Sequence, residues 1–232
     1  MSSSHMKRLT MPRSWPLPRK TSIWVQKPDP CGHSLEFCMP VGIVLRDILN
    51  IAENRREAKQ LVNSGHVSVD GTIATSIGRG VGLMDVLTVG EDNFRCVLDE
   101  NGRLRYRQIS AKSAATKPCR IENKTTVSGG RTQLNLHDGR NIIIDDANKY
   151  STGDTLVIDV KSQKVKSHHK LESGATIYLI GGGHVGMNSI LEELVIKRST
   201  MPNEVKLDGY GAICDHVFVL GSLKDLPLEV AE

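Results

Sequence analysis

Large aromatic side chains are scarce in this sequence, and long apolar runs are absent. Aromatic residues make up 4% of the 232 residues, whereas 39% are hydrophobic and 24% are charged. This composition is globular, but it offers few large side chains for one deep core, so it favours small strand-rich modules. No apolar run approaches the ~20 residues that cross a bilayer, and no apolar signal segment opens the chain. We therefore predict a cytosolic protein without a membrane partner.

The cysteines are few and scattered, and no CxxC pair occurs among them. They are Cys31, Cys38, Cys96, Cys119 and Cys214. An odd number without paired spacing indicates reduced thiols rather than a disulfide or zinc framework. Cys31, His33 and Cys38 form the one group that could hold a metal ion. Because no fourth ligand stands nearby, we predict no metal site.

Positive charge is concentrated in the first part of the chain. Residues 1–131 contain 20 Lys/Arg against 12 Asp/Glu, a formal charge of +8, whereas residues 132–232 contain 10 against 14, a formal charge of −4. A phosphate backbone selects a surface of this kind, although a membrane surface or an acidic protein would also attract it.

The first 40 residues are basic and rich in proline. Residues 1–5 form a polar leader that need not be native. Six prolines in residues 6–40 disfavour long helices and central strands. We therefore expect an extended basic arm that becomes ordered only on binding. Trp15 and Trp24 lie within it, and each indole either stacks on an unpaired base, for ~1–3 kcal/mol, or packs against the protein's own core.

A helix pair follows the arm. Apolar residues recur at helical spacing from Val41 to Leu49, and Asn54 with Glu57 has the pattern of a capping box for a second helix. Three cations stand in the first two turns of that helix, where they oppose the helix dipole unless an anion docks there. These cations are Arg55, Arg56 and Lys59.

Strand patterns occupy the rest of the chain. Asp70-Gly71 predicts a two-residue hairpin turn, and Met84 to Val89 predicts a closing strand. Polar and apolar residues then alternate, so that three arginines project from one strand face about 6.8 Å apart. These arginines are Arg103, Arg105 and Arg107. The face they share is either solvated or in contact with RNA.

A glycine-rich segment at Gly181–Gly186 reads GGGHVG and satisfies the GxGxxG dinucleotide pattern. It follows a predicted strand at Ile177 to Ile180, and Asp208 lies at a distance suited to bind a ribose. Against this interpretation, only 46 residues follow Gly186, which is short for the βαβ units that such a site opens.

The run LRDILNIAENRREAKQLVNSGHVSVDG at Leu45–Gly71 resembles the alpha-L RNA-binding module. The arm KRLTMPRSWPLPRK, the entry PVGIVLRDIL, the strand GLMDVLTV and the glycine-rich segment extend this likeness. Together they resemble the archaeal and eukaryotic S4e family of small-subunit ribosomal proteins, in order from Met6 to about Gly221. The resemblance implies that the glycines belong to a loop of a KOW-type, SH3-like barrel. This loop departs from the family pattern at His184, Met187 and Ser189.

We therefore predict an α+β, mostly β protein in several parts. They are a leader at 1–5, a basic extended N-terminal arm at 6–40, a small α+β alpha-L RNA-binding domain at 41–92, a central small β domain at 93–170 and a C-terminal SH3-like (KOW-type) β barrel at 171–232.

The predicted function, implied by the resemblance, is that of a cytoplasmic structural component of the small ribosomal subunit. Its partners would be small-subunit ribosomal RNA and neighbouring ribosomal proteins, with no cofactor and no small-molecule substrate. The predicted RNA-binding residues are Lys7, Arg8, Arg13, Trp15, Arg19, Lys20, Arg46, Arg55, Arg56, Lys59, Arg103, Arg105 and Arg107.

Two enzyme classes remain as alternatives. One is an RNA-modifying enzyme that uses the alpha-L domain to bind its substrate, and the other is a dinucleotide-binding enzyme that uses GGGHVG. The sequence has no nucleophile elbow, no HExxH motif and no P-loop lysine, so we predict no catalytic residue.

Overall fold

The computed structural model describes residues 5–221, which divide into two compact units. The first contains 5–98 and 103–115, and the second contains 99–102 and 116–221. Both consist mainly of short antiparallel strands with few helical turns, which confirms the predicted α+β, mostly β class. Within residues 5–221 no helix is long and apolar enough to span a membrane.

The first unit combines short helices with three antiparallel sheets. Its strands are β1 His5–Lys7, β2 Trp24–Gln26, β3 Cys38–Pro40, β4 Val67–Val69, β5 Thr72–Ile73, β6 Gly80–Gly82, β7 Val86–Val89, β8 Asp92–Leu98 and β9 Leu104–Ile109. Its helices are α1 Val41–Ile43, continued by a π-helical turn at Val44–Ile48, then α2 Arg55–Asn63 and α3 Ala111–Ala114. β1 pairs with β2, β3 pairs with β6, and the third sheet has the order β5-β4-β7-β8-β9.

Local sequence signals explain the second helix and the first hairpin. The Asn54 side chain accepts a hydrogen bond from the Glu57 backbone N–H at 3.0 Å, and the Glu57 carboxylate accepts one from the Glu53 N–H at 2.8 Å. The capping box therefore closes one residue earlier than its pattern indicates. At the β4–β5 turn, Asp70 has φ 49° and Gly71 has φ 70°. Two positive φ angles are the mark of a type I′ turn, as Asp-Gly predicts.

The N-terminal arm is packed, which differs from the expected extended arm. β1 pairs with β2, so the arm folds back on itself. Met11 and Trp15 are each 2% exposed, and Trp15 Nε1 donates a hydrogen bond to the Cys38 carbonyl at 2.9 Å. Burial of these large side chains offsets the entropy of ordering a proline-rich segment. His5, assigned to the leader, belongs to β1, while residues 1–4 of that leader lie outside the described residues.

The predicted boundary between residues 92 and 93 falls inside a hairpin. β7 pairs with β8, Val86 opposite Arg95, and β8 pairs with β9. The turn between β7 and β8 contains Gly90, whose φ is 61°. The strand predicted at Met84 to Val89 as a closing strand is therefore followed by two more strands of the same sheet.

The second unit consists of two antiparallel five-stranded sheets. Its strands are β10 Thr116–Thr126, β11 Thr132–Leu136, β12 Asn141–Ile144, β13 Thr155–Asp159, β14 Val165–His169, β15 Thr176–Leu179, β16 Asn188–Val195, β17 Glu204–Leu207, β18 Tyr210–Ile213 and β19 Val217–Val219. The sheet orders are β12-β11-β10-β13-β14 and β18-β17-β16-β15-β19. In the second sheet the last strand returns to β15, and a register shift between Leu191 and Glu193 interrupts β16. This arrangement is consistent with the predicted SH3-like barrel.

Each sheet of the second unit covers its own apolar core. The first core centres on Cys119, Ile121, Leu134, Leu136, Leu156 and Ile158. The second centres on Ile177, Leu179, Leu191, Val205, Leu207, Val217 and Val219. The residues of each core stand two positions apart along their strands, as in Ile177 and Leu179 or Leu156 and Ile158, because alternate side chains of a strand share one face.

A buried ion pair lies beside the first of these cores. Lys117 Nζ is 2.8 Å from Asp138 Oδ2, and the two side chains are 1% and 2% exposed. Arg140 Nε lies 3.2 Å from the same carboxylate oxygen. Burial, the largest single influence, raises the pKa of Asp138, but the charges of Lys117, His137 and Arg140 and the hydrogen bond from Lys117 together outweigh it. The pKa is lowered to about 2. Asp138 is therefore ionised at neutral pH.

Candidate nucleic-acid interface

A cleft of about 520 Å³ in the first unit gathers cations from the arm and the helix pair. Its walls include Arg8, Arg46, Arg55, His5, Trp24 and Gln26. The residues that line it in the described part of the chain include three arginines and no carboxylate. Positive charge within a concave surface concentrates the local field, which attracts an anion.

Arg8 is the most buried of the three arginines, at 8% exposure. Its Nε donates a hydrogen bond to the Pro18 carbonyl at 2.6 Å, and NH1 donates to Ser22 Oγ at 3.3 Å. These bonds join the start of the arm to its middle, so the guanidinium has a fixed position in the cleft wall. A cation held in place loses less side-chain entropy when it binds a ligand.

Arg46 is oriented by its neighbour in the chain. Its Nε and NH2 donate to the two carboxylate oxygens of Asp47 at 3.1 and 2.7 Å. This hydrogen bond to Asp47 raises the pKa of Arg46, whose side chain remains one-third exposed. Arg46 lies in the π-helical turn that follows α1, which aims it into the cleft.

Arg55 reaches the same cleft from the first position of α2, where it is exposed. Arg56 and Lys59 are exposed on the same helix, but they are not among the residues that line the cleft. Of the three cations that the sequence placed on α2, the structure therefore brings one next to Arg8 and Arg46.

The two tryptophans have different roles. Trp15, predicted as an RNA contact, is 2% exposed and bonded to Cys38, so it presents no face on which a base could stack. This correction follows from packing that the sequence left open. Trp24 is 53% exposed, lines the cleft and meets the His5 ring edge-on at 4.9 Å. Sequence reasoning named Trp24 as a candidate but omitted it from the predicted site.

The other predicted cations of the arm lie outside the cleft walls. Lys7 is exposed on β1, opposite Trp24 in the register, and Arg13 and Lys20 are exposed in the turns between β1 and β2. Arg19 is partly buried, and its NH1 donates to the Leu9 carbonyl at 3.1 Å.

The predicted alternation of the arginine strand is present in β9. Leu104 and Tyr106 are buried, whereas Arg103 and Arg105 are exposed and Arg107 is partly exposed. β9 is the last strand in its sheet, and its arginines do not line the cleft. They form a second basic surface within the first unit.

The glycine-rich segment connects two antiparallel strands. Gly181–Gly186 lies between β15 and β16, which pair directly with each other, and no helix follows it. A dinucleotide site needs a helix after the loop and a parallel sheet, so this geometry contradicts the dinucleotide alternative. Two of its glycines, Gly181 and Gly186, allow close packing instead. A Cβ on Gly186 would lie 2.4 Å from the Asp99 carbonyl oxygen, and one on Gly181 would lie 2.7 Å from the His216 ring.

The candidate metal group does not assemble as three ligands. The sulfurs of Cys31 and Cys38 are 3.8 Å apart, but His33 directs Nε2 to Asp85 at 2.9 Å. Within residues 5–221, three potential ligands approach within 4.8 Å of one another at Cys119, His137 and Asp138. Asp138 already pairs with Lys117 and Arg140, whose charges disfavour a metal cation there.

Three models of known protein families match separate segments of the chain. Residues 43–87, which include the helix pair and the hairpin, match the model of the S4 domain, and residues 2–36 match that of the RS4NT domain. The match over residues 43–87 places the chain among proteins with an S4 RNA-binding domain. Residues 90–165 match the model described as ribosomal family S4e.

Relatives extend this match over almost the whole chain. The small ribosomal subunit protein eS4 of Methanothermobacter thermautotrophicus is 39% identical over 227 residues, covering 95% of this chain and 93% of that protein. The eS4 protein of Methanocaldococcus jannaschii is 38% identical over 231 residues, covering 94% and 93%. The crystal structure of the 30S ribosomal protein S4e from Thermoplasma acidophilum superimposes with a TM-score of 0.72 at 30% identity, covering 80% of this chain and 95% of that one.

The chain belongs to the ribosomal S4e family, which confirms the predicted resemblance. These relatives are named as ribosomal proteins and not as enzymes. The prediction that the chain is not an enzyme is confirmed on this basis.

Proposed function

We propose that the chain is a structural component of the small ribosomal subunit and holds ribosomal RNA in the cleft between its arm and its helix pair. The names of its relatives support the assembly, since they are called small ribosomal subunit proteins. The observation that supports the binding site is the presence of Arg8, Arg46 and Arg55 with an exposed Trp24 around one cleft.

The three guanidinium groups suit phosphate oxygens. A guanidinium offers a planar fork of donors that binds phosphate in a bidentate manner. Asp47 and the Pro18 carbonyl hold Arg46 and Arg8 in place before RNA arrives, and Arg55 opens α2, where the helix dipole also favours an anion. The Trp24 indole at the edge of the cleft would stack on an unpaired base, which is how proteins often recognise single-stranded RNA segments.

The other predicted cations that are exposed or partly exposed outside the cleft would follow the RNA backbone away from it. They are Lys7, Arg13, Lys20, Arg56, Lys59, Arg103, Arg105 and Arg107. Such contacts position the protein without reading the base sequence. Arg19, which supports the arm through Leu9, would contribute less.

The second unit would contact neighbouring ribosomal proteins rather than RNA, since acidic residues slightly outnumber basic ones in it. The proposed domain order is the predicted one, with the central domain beginning after α3, near Thr116, instead of at residue 93. As a ribosomal component the protein would act in the cytoplasm, and its contribution would be binding and assembly alone.

Titration with fragments of small-subunit ribosomal RNA at several salt concentrations tests this function. The double variant Arg46→Ala/Arg55→Ala should bind more weakly to all RNA fragments, and the slope of log K against log salt should fall by about 2, one for each phosphate that is no longer neutralised. Arg198→Ala is the matched control, because it removes an exposed arginine from the second unit. It should leave both affinity and slope unchanged.

Equal losses of affinity in the double variant and in the control would refute the cleft as the binding site. Altered sequence preference with preserved affinity would also count against it, because phosphate contacts do not specify sequence.

A further inference from the structure

Two cysteine sulfurs meet in the first unit, although the sequence indicates isolated thiols. Cys31 lies in the loop after β2 and Cys38 begins β3, and their Sγ atoms are 3.8 Å apart. Cys31 is partly exposed, whereas Cys38 is 1% exposed. A turn of 3₁₀ helix at Leu35–Phe37 brings the two ends of the loop together.

A glycine leaves room for this pair. A Cβ on Gly80 would lie 2.7 Å from the Cys31 sulfur and 3.8 Å from the Cys38 sulfur. Gly80 belongs to β6, which pairs with β3 directly beneath the loop. Any larger residue at this position would push Cys31 away from Cys38.

The surroundings make the two thiols chemically unequal. The hydrogen bond between the sulfurs lowers the pKa of Cys31 to about 6 despite partial burial, and the same bond raises the pKa of Cys38. His33 and Asp85, themselves in contact at 2.9 Å, are the titratable groups that face Cys31 along with Cys38. At neutral pH a nucleophilic thiolate therefore stands next to a protonated thiol.

We propose that Cys31 and Cys38 form a peroxide-reactive pair that closes to an intramolecular disulfide. The Cys31 thiolate attacks one oxygen of hydrogen peroxide, the O–O bond breaks, and hydroxide leaves, so that Cys31 becomes a sulfenic acid. Cys38 then gives up its proton and attacks the Cys31 sulfur, expelling its oxygen as water. Two thiols are oxidised to one disulfide while one peroxide is reduced to two waters.

Each of the other three cysteines lacks either access to solvent or a lowered thiol pKa. Cys96 and Cys119 are fully buried. Cys214 is partly exposed like Cys31, but burial and the neighbouring Asp215 raise its pKa. Cys214 is therefore the matched control, with similar access but no thiolate at neutral pH.

Mass spectrometry of the peroxide-treated full chain, with remaining thiols alkylated, tests the proposal. The chain should lose about 2 Da and protect two cysteines from alkylation, and dithiothreitol should reverse both effects. Cleavage after Glu36 separates Cys31 from Cys38, so the two fragments should remain joined only in the oxidised protein. In the untreated protein at neutral pH, Cys31 should react with iodoacetamide at least tenfold faster than Cys214.

Variants assign the two steps. Cys214→Ser should leave the mass loss unchanged, whereas Cys31→Ser should abolish it. Cys38→Ser should stop the reaction at a sulfenic acid on Cys31, which dimedone would trap. Equal alkylation rates for Cys31 and Cys214 in the unmodified chain would overturn the proposal without relying on any variant. A cross-link that joins Cys31 to Cys214 or to a second chain would overturn it as well, and so would one tightly bound zinc per untreated chain that is lost in Cys31→Ser.

Discussion

The two units contain similar numbers of cations but use them differently. The first unit, 5–98 and 103–115, has 16 Lys/Arg against 9 Asp/Glu, whereas the second, 99–102 and 116–221, has 13 against 14. In the second unit Lys166, Lys197 and Lys206 each pair with a carboxylate on a nearby strand or loop. In the first, Arg8, Arg46 and Arg55 line one cleft, and of these Arg46 also pairs with a carboxylate, that of Asp47 at 2.7 Å.

The two units therefore differ both in net charge, +7 against −1, and in how their cations are arranged. Cations that are paired inside a unit orient its strands and leave little field outside. Cations arranged around a cleft without lining carboxylates produce a field that an outside partner can use. Three substitutions and one change of pH test whether the two units differ in this way.

The largest effect is expected from the core that anchors the basic arm. Trp15→Ala should lower the free energy of unfolding by about 3–5 kcal/mol, because it leaves a cavity and removes a hydrogen bond to the Cys38 carbonyl. Urea unfolding measures this loss. The control is Trp24→Ala, which removes a 53% exposed indole and should hardly change stability. Similar stability losses in both variants would mean that Trp15 is not a core residue.

A slightly smaller effect is expected in the second unit. Lys117→Met should destabilise the protein by about 3 kcal/mol, because Asp138 would remain buried without the cation that lies 2.8 Å from its carboxylate. The double variant Lys117→Met/Asp138→Leu should recover most of this loss in the same unfolding experiment. RNA affinity should stay unchanged in both variants, and a parallel loss of affinity would contradict the separation of roles between the units.

Acid should reproduce part of that loss in the unmodified protein. The pKa of Asp138 is lowered from 3.8 to about 2 in the folded state, so the folded chain takes up this proton at a lower pH than the unfolded chain does. Ionised Asp138 therefore contributes about 2 kcal/mol to the free energy of unfolding above about pH 4. This contribution is lost as the pH falls towards 2. Unfolding measured between about pH 5 and pH 2 should show this slope, and the Lys117→Met/Asp138→Leu variant should have a flatter one.

The smallest effect concerns the edge of the cleft. Trp24→Ala should weaken binding to single-stranded ribosomal RNA by ~1–3 kcal/mol, because no indole remains on which a base can stack. Ile23→Ala is the neighbouring control, since Ile23 is 71% exposed but carries no ring. If fluorescence titration gave the same affinity for Trp24→Ala and the unmodified protein, base stacking at this position would be refuted.

Local patterns in the sequence predicted the local features of the fold. Asp70-Gly71 indicated the turn type, Asn54 with Glu57 indicated the start of α2, and alternation indicated the exposed arginines of β9. In each of these the determining residues lie within a few positions of one another. Propensity and periodicity act at that range.

Contacts between distant residues were not predictable in the same way. Arg8 and Arg46 meet around the cleft although they are 38 positions apart in the chain. Trp15 is buried by strand β3, and Gly90 joins two strands that the sequence assigned to different domains. A single sequence contains no signal for such pairings, so it suggested an extended arm and an early boundary.

The pairing of β3 with β6 determines when the N-terminal arm can fold during synthesis. Trp15 bonds to Cys38, and Cys38 is held opposite Gly82. The indole therefore has no finished pocket until residue 82 has left the exit tunnel of the translating ribosome. Throughout that interval the most basic part of the nascent chain remains unfolded in a medium rich in nucleic acid.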